Sequence, residues 1–172
     1  MYQLAFKNNV TGKSLKQDVL VMENLFYDRK ISRIFDLKGS LRSRYAQTTG
    51  QENDVLLDEN LIEALHSSPL YIHEHSKRVL MTAIHSDTMF LADCSVIDYS
   101  LLVGLEQSTG ELVVGIVDYI RTYTWDKKLE SWVKETGLLG GGGKEPTIIS
   151  PKLYKQRFRE AMSRYFHVVA DK

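Results

Sequence analysis

Two apolar runs separated by a short polar turn constrain the fold of this chain more than any other feature. The runs are residues 96–103 and 112–120, and the turn between them contains Gln107-Ser-Thr-Gly110. Short apolar runs flanked by turn residues are typical of buried strands, so we predict an antiparallel pair in the core. Each run carries one aspartate, Asp98 or Asp118. Because an unpaired carboxylate is costly in apolar surroundings, we expect both to be paired structurally or functional.

The rest of the sequence mixes strand and helix patterns. It has no internal repeat and no interdomain linker, which indicates one α+β domain over residues 1–172. Asp58 is expected to cap a first helix, and Ser150 followed by Pro151 to begin the last one. The other predicted elements are a hairpin from residues 2–6 and 18–25, a strand over 33–38 and a helix over about 75–94.

Charge and cysteine content exclude several classes of protein. The 22 basic and 22 acidic side chains cancel, so no global field draws the chain to nucleic acid. The single cysteine, Cys94, excludes an internal disulfide, and we expect it to be buried as a small apolar side chain. A cytosolic or cytosol-facing location fits this composition. No apolar run approaches the ~20 residues of a membrane span.

One stretch of the chain is strongly basic. Residues 29–44 carry a net charge of +5, from Arg29, Lys30, Arg33, Lys38, Arg42 and Arg44 against Asp36. Two aspartates on neighbouring strands with nearby lysines suit phosphoryl transfer, which needs a carboxylate for the acceptor hydroxyl, another for magnesium, and cations for phosphate. The alternative, on these residues alone, is two structural aspartates beside a solvated basic face.

Four segments, in this order, resemble the motif set of the phosphatidylinositol phosphate kinases. They are Val21–Tyr27, Phe35–Ser40, Ile97–Gly104 and Gly115–Tyr119. Three further segments are similar to the type III branch of that family, the PIKfyve-like 1-phosphatidylinositol-3-phosphate 5-kinases. These are Tyr123–Glu130, the glycine run 140–143 and Pro146–Pro151.

The resemblance implies a protein-kinase-like fold in which ATP and Mg²⁺ lie between two lobes. Residues 1–25 would be the remaining hairpin and hinge of a truncated N-lobe. Residues 26–172 would form the C-lobe, with an activation loop at about 119–150. Neither a glycine-rich loop nor the lysine of a following strand precedes Tyr2. We therefore expect a C-terminal fragment of a kinase domain, and the activity of these residues alone stays open.

The resemblance also implies the roles of the reacting residues. Asp98 matches the catalytic-loop aspartate of the family, and Asp118 matches the aspartate that binds magnesium. Lys38 would neutralise the transferring phosphate. Asp36 is a second candidate base, because Asp36-Leu-Lys38 mimics the catalytic loop of protein kinases; we place Asp98 ahead, since its predicted strand pairs with the one bearing Asp118.

Binding residues follow in the same way. The hinge would meet adenine through Met22, Glu23, Asn24 and Leu25. Arg42 and Arg44 would lie near the inositol phosphate, and Lys127 with Lys128 would select and hold the lipid head group. An ammonium near an anionic surface contributes about 1 kcal/mol, so the lysine pair would dock the protein on a membrane without anchoring it.

The implied function is ATP-dependent phosphorylation of the inositol 5-hydroxyl of phosphatidylinositol 3-phosphate, giving phosphatidylinositol 3,5-bisphosphate, as part of a longer kinase. The expected partners are the lipid head group, an anionic membrane surface and scaffold proteins, without nucleic acid. The expected location is cytoplasmic, peripheral on endosomal or vacuolar membranes. Two alternatives stay open: a catalytically inactive phosphoinositide-binding module, and an interaction domain in which the aspartates are structural.

Overall fold

A central sheet covered on one face by helices organises the molecule. The computed structural model describes residues 2–7, 14–50, 54–106, 108–123 and 149–169. In this part of the chain the elements are β1 (Tyr2–Lys7), β2 (Ser14–Val19), β3 (Ile31–Leu37), β4 (Val55–Leu56), α1 (Asp58–Ser67), β5 (Tyr71–His73), α2 (Glu74–Asp93), β6 (Ser100–Glu106), β7 (Leu112–Val117), α3 (Pro151–Tyr165) and β8 (His167–Val169).

The central sheet has the strand order β4-β3-β6-β7. Strand β6 runs antiparallel to both neighbours, with Val103 opposite Phe35 on β3 and opposite Val114 on β7. The short strand β4 pairs with β3 in parallel. The predicted antiparallel pair is therefore present as β6 and β7, and the predicted strand over 33–38 lies within and just beyond β3.

One face of this sheet forms the core with α2 and α3. Helix α3 begins as predicted: Ser150 Oγ accepts a hydrogen bond from the Leu153 amide at 3.3 Å, and Pro151 occupies the first turn. The buried residues of this core include Phe35, Leu37, Leu101 and Val103 from the sheet, Ile84 and Leu91 from α2, and Tyr154, Phe158, Met162 and Tyr165 from α3.

Helices α2 and α3 are also joined by polar contacts. Arg159 on α3 donates to Thr88 Oγ1 at 2.7 Å and to the carbonyl of His85 at 2.5 Å. Lys77 on α2 donates to the carbonyl of Phe166 at 2.8 Å, which satisfies an acceptor beyond the end of α3. No helix of the described residues is long and apolar enough to cross a membrane.

Three sequence predictions about these elements are wrong. The second hairpin strand occupies Ser14–Val19 and not 18–25, so the chain leaves the strand before the predicted hinge. Cys94 is exposed just after the last turn of α2 instead of buried. Asp58 is not a helix cap, because the N-cap of α1 is Leu57 and Asp58 is the first helical residue.

Candidate active site

The two aspartates of the apolar runs lie at one end of the central sheet. Ser100, the first residue of β6, pairs with Val117, the last residue of β7. Asp98 and Asp118 therefore lie at the same end of this strand pair. Both lie just outside the strands, and the prediction that they sit inside buried apolar runs is wrong: Asp98 is half-buried and Asp118 is exposed. Strand pairing, and not burial, brings them together.

Both aspartates adopt a backbone conformation that L-residues rarely use. The φ angle is +67° at Asp98 and +60° at Asp118. Aspartate is among the few residues that tolerate the left-handed region, and such conformations persist where the surrounding structure enforces them. Pairing of the adjoining segments supplies that enforcement: the Ile97 amide donates to the Arg121 carbonyl at 3.0 Å, and the Tyr123 amide to the Ser95 carbonyl at 2.6 Å.

The Asp98 carboxylate is held by two cations. Lys38 Nζ lies 3.0 Å from Oδ1, and Arg121 Nη1 lies 2.7 Å from Oδ2. Partial burial raises the pKa of the Asp98 carboxyl, but hydrogen bonding and charge from Lys38, and then from Arg121, outweigh burial and hold the pKa below its usual value. Asp98 is therefore ionised at neutral pH, as a base must be.

Lys38 is placed by a buried carboxylate that sequence analysis did not single out for the site. Asp58 is fully buried, and its Oδ1 accepts from the Gly39 amide at 2.8 Å while Oδ2 accepts from the Lys38 amide at 3.1 Å. Tyr165 Oη at the end of α3 donates to Oδ1 at 2.9 Å. These hydrogen bonds fix the turn that follows β3 and direct Lys38 towards Asp98.

Gly39 is required at this turn. Its φ angle is +70°, and a Cβ there would lie 2.9 Å from the Cβ of Ala161 on α3. A side chain at position 39 would therefore both strain the backbone and push the Lys38 turn off the helix.

Arg44 and Asp36 are bound to each other. Arg44 Nη2 lies 2.5 Å from Asp36 Oδ1, and Arg44 Nε lies 2.9 Å from Asp58 Oδ2. Burial lowers the pKa of Arg44, but its hydrogen bonds with Asp36 and Asp58 more than offset this, so its pKa is raised. The roles of Asp36 as a base and of Arg44 as a phosphate ligand stay predictions; in this structure both side chains hold the fold together.

The predicted hinge lies over β6 and β7. A Cβ on Gly115 would come within 2.6 Å of Leu25 Cδ1, and one on Gly104 within 2.5 Å of Phe26 Cε1, so the two glycines form a seat for these side chains. Asn24 shapes the turn, because its Oδ1 accepts from the Phe26 amide at 3.0 Å. Both glycines lie in motifs of the sequence, but nothing in those motifs indicates this packing role.

The hinge also contacts the segment that follows Asp118. Tyr119 Oη donates to Met22 Sδ at 3.3 Å. No backbone–backbone hydrogen bond joins Met22 or Glu23 to another described residue. The segment predicted to bind adenine therefore contacts the residue after Asp118, which is the predicted metal-binding residue.

The donor set at Asp118 suits magnesium. Mg²⁺ usually keeps several waters and binds one or two carboxylates together with substrate phosphates. Asp118 offers an exposed carboxylate, and the described residues contain no cluster of three or more histidine, cysteine or acidic side chains that would form a protein-only metal cage. Such a site would take its metal together with a phosphorylated ligand.

The remaining predicted substrate-binding residues are Arg42, Lys127 and Lys128. Arg42 is exposed in the turn after β3, and its amide donates to Ser40 Oγ at 3.4 Å. Lys127 and Lys128 fall outside the described residues, as does most of the predicted activation loop. Arg121, which contacts Asp98, was missed; its signal in the sequence is a cation three residues beyond Asp118.

Comparison with known proteins gives one consistent result. The family model described as Phosphatidylinositol-4-phosphate 5-Kinase matches residues 1–112 and 107–165. The human 1-phosphatidylinositol 3-phosphate 5-kinase is 58% identical over 174 residues, covering 99% of this chain and 8% of the relative. The FAB1 kinase of the same description from Saccharomyces cerevisiae is 53% identical over 173 residues, with the same two coverages. FAB1B of Arabidopsis thaliana is 55% identical and is covered over 10% of its length. The chain thus spans about a tenth or less of these relatives.

Proposed function

The chain belongs to the phosphatidylinositol-4-phosphate 5-kinase family, and we propose that the protein carrying it phosphorylates the 5-hydroxyl of phosphatidylinositol 3-phosphate, using ATP. Support for this substrate comes from the relatives, which are described as 1-phosphatidylinositol 3-phosphate 5-kinases and are 53% and 58% identical over 99% of this chain. The product is phosphatidylinositol 3,5-bisphosphate.

The observation that carries the proposal is the Asp98–Lys38 pair beside Asp118 at one sheet edge. Asp98 is ionised and half-exposed, so it accepts the proton of the attacking 5-hydroxyl. A bond forms between that oxygen and the γ-phosphorus while the bond from the γ-phosphorus to the leaving ADP oxygen breaks. Lys38 would offset negative charge on the transferring group, because its ammonium lies 3.0 Å from Asp98 Oδ1 and is therefore next to the base.

Asp118 would hold magnesium, and Met22, Glu23, Asn24 and Leu25 would receive the adenine. A metal held there would supply positive charge that offsets the charge of the nucleotide phosphates. The protein's part is to fix the base, the cation and the hinge relative to one another. This is done by the paired segments 95–97 and 121–123 and by the seat that Gly104 and Gly115 form.

The lipid substrate requires contact with a membrane surface. Arg42, Lys127 and Lys128 would meet the anionic head group, and a location on endosomal or vacuolar membranes stays a prediction, as do scaffold partners. Each such cation contributes about 1 kcal/mol near an anionic surface, so binding should weaken as salt rises.

A lipid panel tests the proposal. The full-length protein is incubated with ATP, magnesium and vesicles containing phosphatidylinositol 3-phosphate, phosphatidylinositol 4-phosphate or phosphatidylinositol. We expect transfer mainly to the 3-phosphate, with the new phosphate at position 5. Salt-sensitive vesicle binding without transfer to any lipid would contradict the proposal and favour the inactive binding module.

A further inference from the structure

Both oxygens of Asp98 contact a cation before any substrate arrives. One oxygen contacts Lys38 and the other contacts Arg121, at 3.0 and 2.7 Å. A base must come within hydrogen-bond distance of the hydroxyl whose proton it takes, about 2.6–3.2 Å between heavy atoms. Each carboxylate oxygen can accept a further hydrogen bond, so a hydroxyl that approaches from solvent shares Asp98 with these two cations.

Arg121 is the partner that an incoming substrate displaces more easily. The Lys38 side chain is 20% exposed, and the backbone of Lys38 is tied to buried Asp58. The Arg121 side chain is 63% exposed, so solvent competes for its ion pair, and exposed pairs of this kind contribute little net stability. Substrate that enters from solvent meets the guanidinium first.

The backbone of Arg121 keeps the displaced guanidinium within reach of the site. The Arg121 carbonyl accepts from the Ile97 amide at 3.0 Å, and the bridge between Val96 and Thr122 fixes the next residue. The backbone of Arg121 thus stays beside Asp98 while its side chain pivots. The incoming inositol ring brings a phosphate into the same space, and the planar fork of a guanidinium matches phosphate oxygens in a bidentate manner.

We propose that Arg121 is a substrate-binding residue that exchanges its ion pair with Asp98 for the phosphate already present on the inositol head group. The proposal rests on the proposed transfer to phosphatidylinositol 3-phosphate. It explains why a second cation lies on the solvent side of the base, and it assigns selection of a phosphorylated head group to Arg121.

A simple blocking role for Arg121 makes the opposite prediction. If the guanidinium only covers Asp98, its removal should raise kcat and leave the affinity for the head group unchanged. If it binds phosphate, its removal should weaken binding of a phosphorylated head group selectively. The two roles are therefore separated by binding and turnover measured on the same variants.

The test uses Arg121→Gln, Arg121→Lys and a matched control, Arg78→Gln, an exposed arginine in the first half of α2. Calorimetry on the full-length protein measures binding of inositol 1,3-bisphosphate and of inositol 1-phosphate. Arg121→Gln should weaken binding of the bisphosphate about tenfold or more and leave the monophosphate unchanged. Arg121→Lys should be intermediate, and Arg78→Gln should match wild type, all with unchanged thermal unfolding.

Kinetics complete the test. The preference for phosphatidylinositol 3-phosphate over phosphatidylinositol should fall in Arg121→Gln, through KM. Unchanged bisphosphate binding, or a raised kcat with unchanged KM, would overturn the assignment. If wild type transfers no phosphate yet its bisphosphate binding depends on Arg121, the proposed function fails and the assignment of Arg121 stands.

Discussion

At the scale of single residues, the site depends on one buried carboxylate with several donors. Asp58 accepts hydrogen bonds from two backbone amides, from Arg44 and from Tyr165, and is fully buried. The sequence pattern predicts Asp58 only as a helix cap, because its partners at positions 38, 39, 44 and 165 are brought together by the tertiary fold. No local pattern around position 58 records those contacts.

Removing the Asp58 carboxylate should strongly destabilise the protein. In Asp58→Ala the Arg44 guanidinium and two amides lose their partner, and breaking a buried ion pair costs about 3–5 kcal/mol of unfolding free energy. Tyr165→Phe removes one hydrogen bond to the same carboxylate and should cost about 1 kcal/mol. Urea denaturation measures both. Equal losses in the two variants would contradict the role of Asp58 as the shared acceptor.

The pKa of Asp98 should depend on Lys38. The folded-state pKa of Asp98 is depressed, so this group stabilises the fold above its ordinary pKa of 3.8, and that contribution is lost as the pH falls through the folded value. In Lys38→Met the main cause of the depression is gone, and the Asp98 pKa should rise. Carboxylate NMR titration measures this shift. An unchanged pKa would mean that Lys38 and Asp98 do not interact in solution.

At the scale of elements, two glycines let the hinge lie on the sheet. Gly104 on β6 and Gly115 on β7 leave room for Phe26 and Leu25. The strand pair itself was predictable, because apolar runs and a polar turn are local signals. The ends of the strands were not, since Asp98 and Asp118 leave the ladder through left-handed backbone conformations that an apolar run does not indicate.

A methyl group at the seat should disturb the hinge. In Gly115→Ala the new Cβ would lie 2.6 Å from Leu25 Cδ1, and overpacking of this kind costs about 1–3 kcal/mol. Nucleotide affinity should fall with stability, because the hinge is displaced. Leu25→Ala vacates the space, so adding it to Gly115→Ala should restore part of the loss. A double variant whose losses simply add, by thermal unfolding and calorimetry, would contradict the packing account.

At the scale of the whole molecule, charge is organised by pairs that a sequence window does not reveal. Three cations of the basic stretch 29–44 are neutralised within the fold: Arg29 by Glu106, Lys38 by Asp98, and Arg44 by Asp36 and Asp58. The net charge of +5 therefore overstates the positive charge that residues 29–44 present to a phosphate group. The ordered motifs were the better guide, since they identified the family and the positions of both aspartates.

Buried tyrosines should make the fold sensitive to alkali. Burial raises the pKa of Tyr99 to about 12, and it also raises the pKa of Tyr154 and of Tyr165. A raised folded pKa gives stability that is complete below the ordinary pKa of 10.0 and is lost as the pH rises towards 12. Denaturant unfolding at increasing pH should show this loss.

Tyr99→Phe provides the control for that titration. Tyr99 Oη is buried with no hydrogen-bond partner among the described residues, so its removal should leave stability at neutral pH unchanged or raised. The alkaline loss should become shallower in this variant. A loss of stability at neutral pH, or an alkaline profile identical to wild type, would contradict this reading of the core.

We propose that Asp98 and Asp118 form the reacting centre of a lipid kinase. The most direct measurement is the rate of phosphate transfer from ATP to phosphatidylinositol 3-phosphate by the full-length protein, in wild type, Asp98→Asn, Asp118→Asn and Asp87→Asn. We expect kcat to fall about a hundredfold or more in the first two variants, with each variant shown by thermal unfolding to be folded at the assay temperature, while Asp87→Asn, an exposed carboxylate on α2, behaves as wild type. Undiminished transfer by either Asp98→Asn or Asp118→Asn would contradict it.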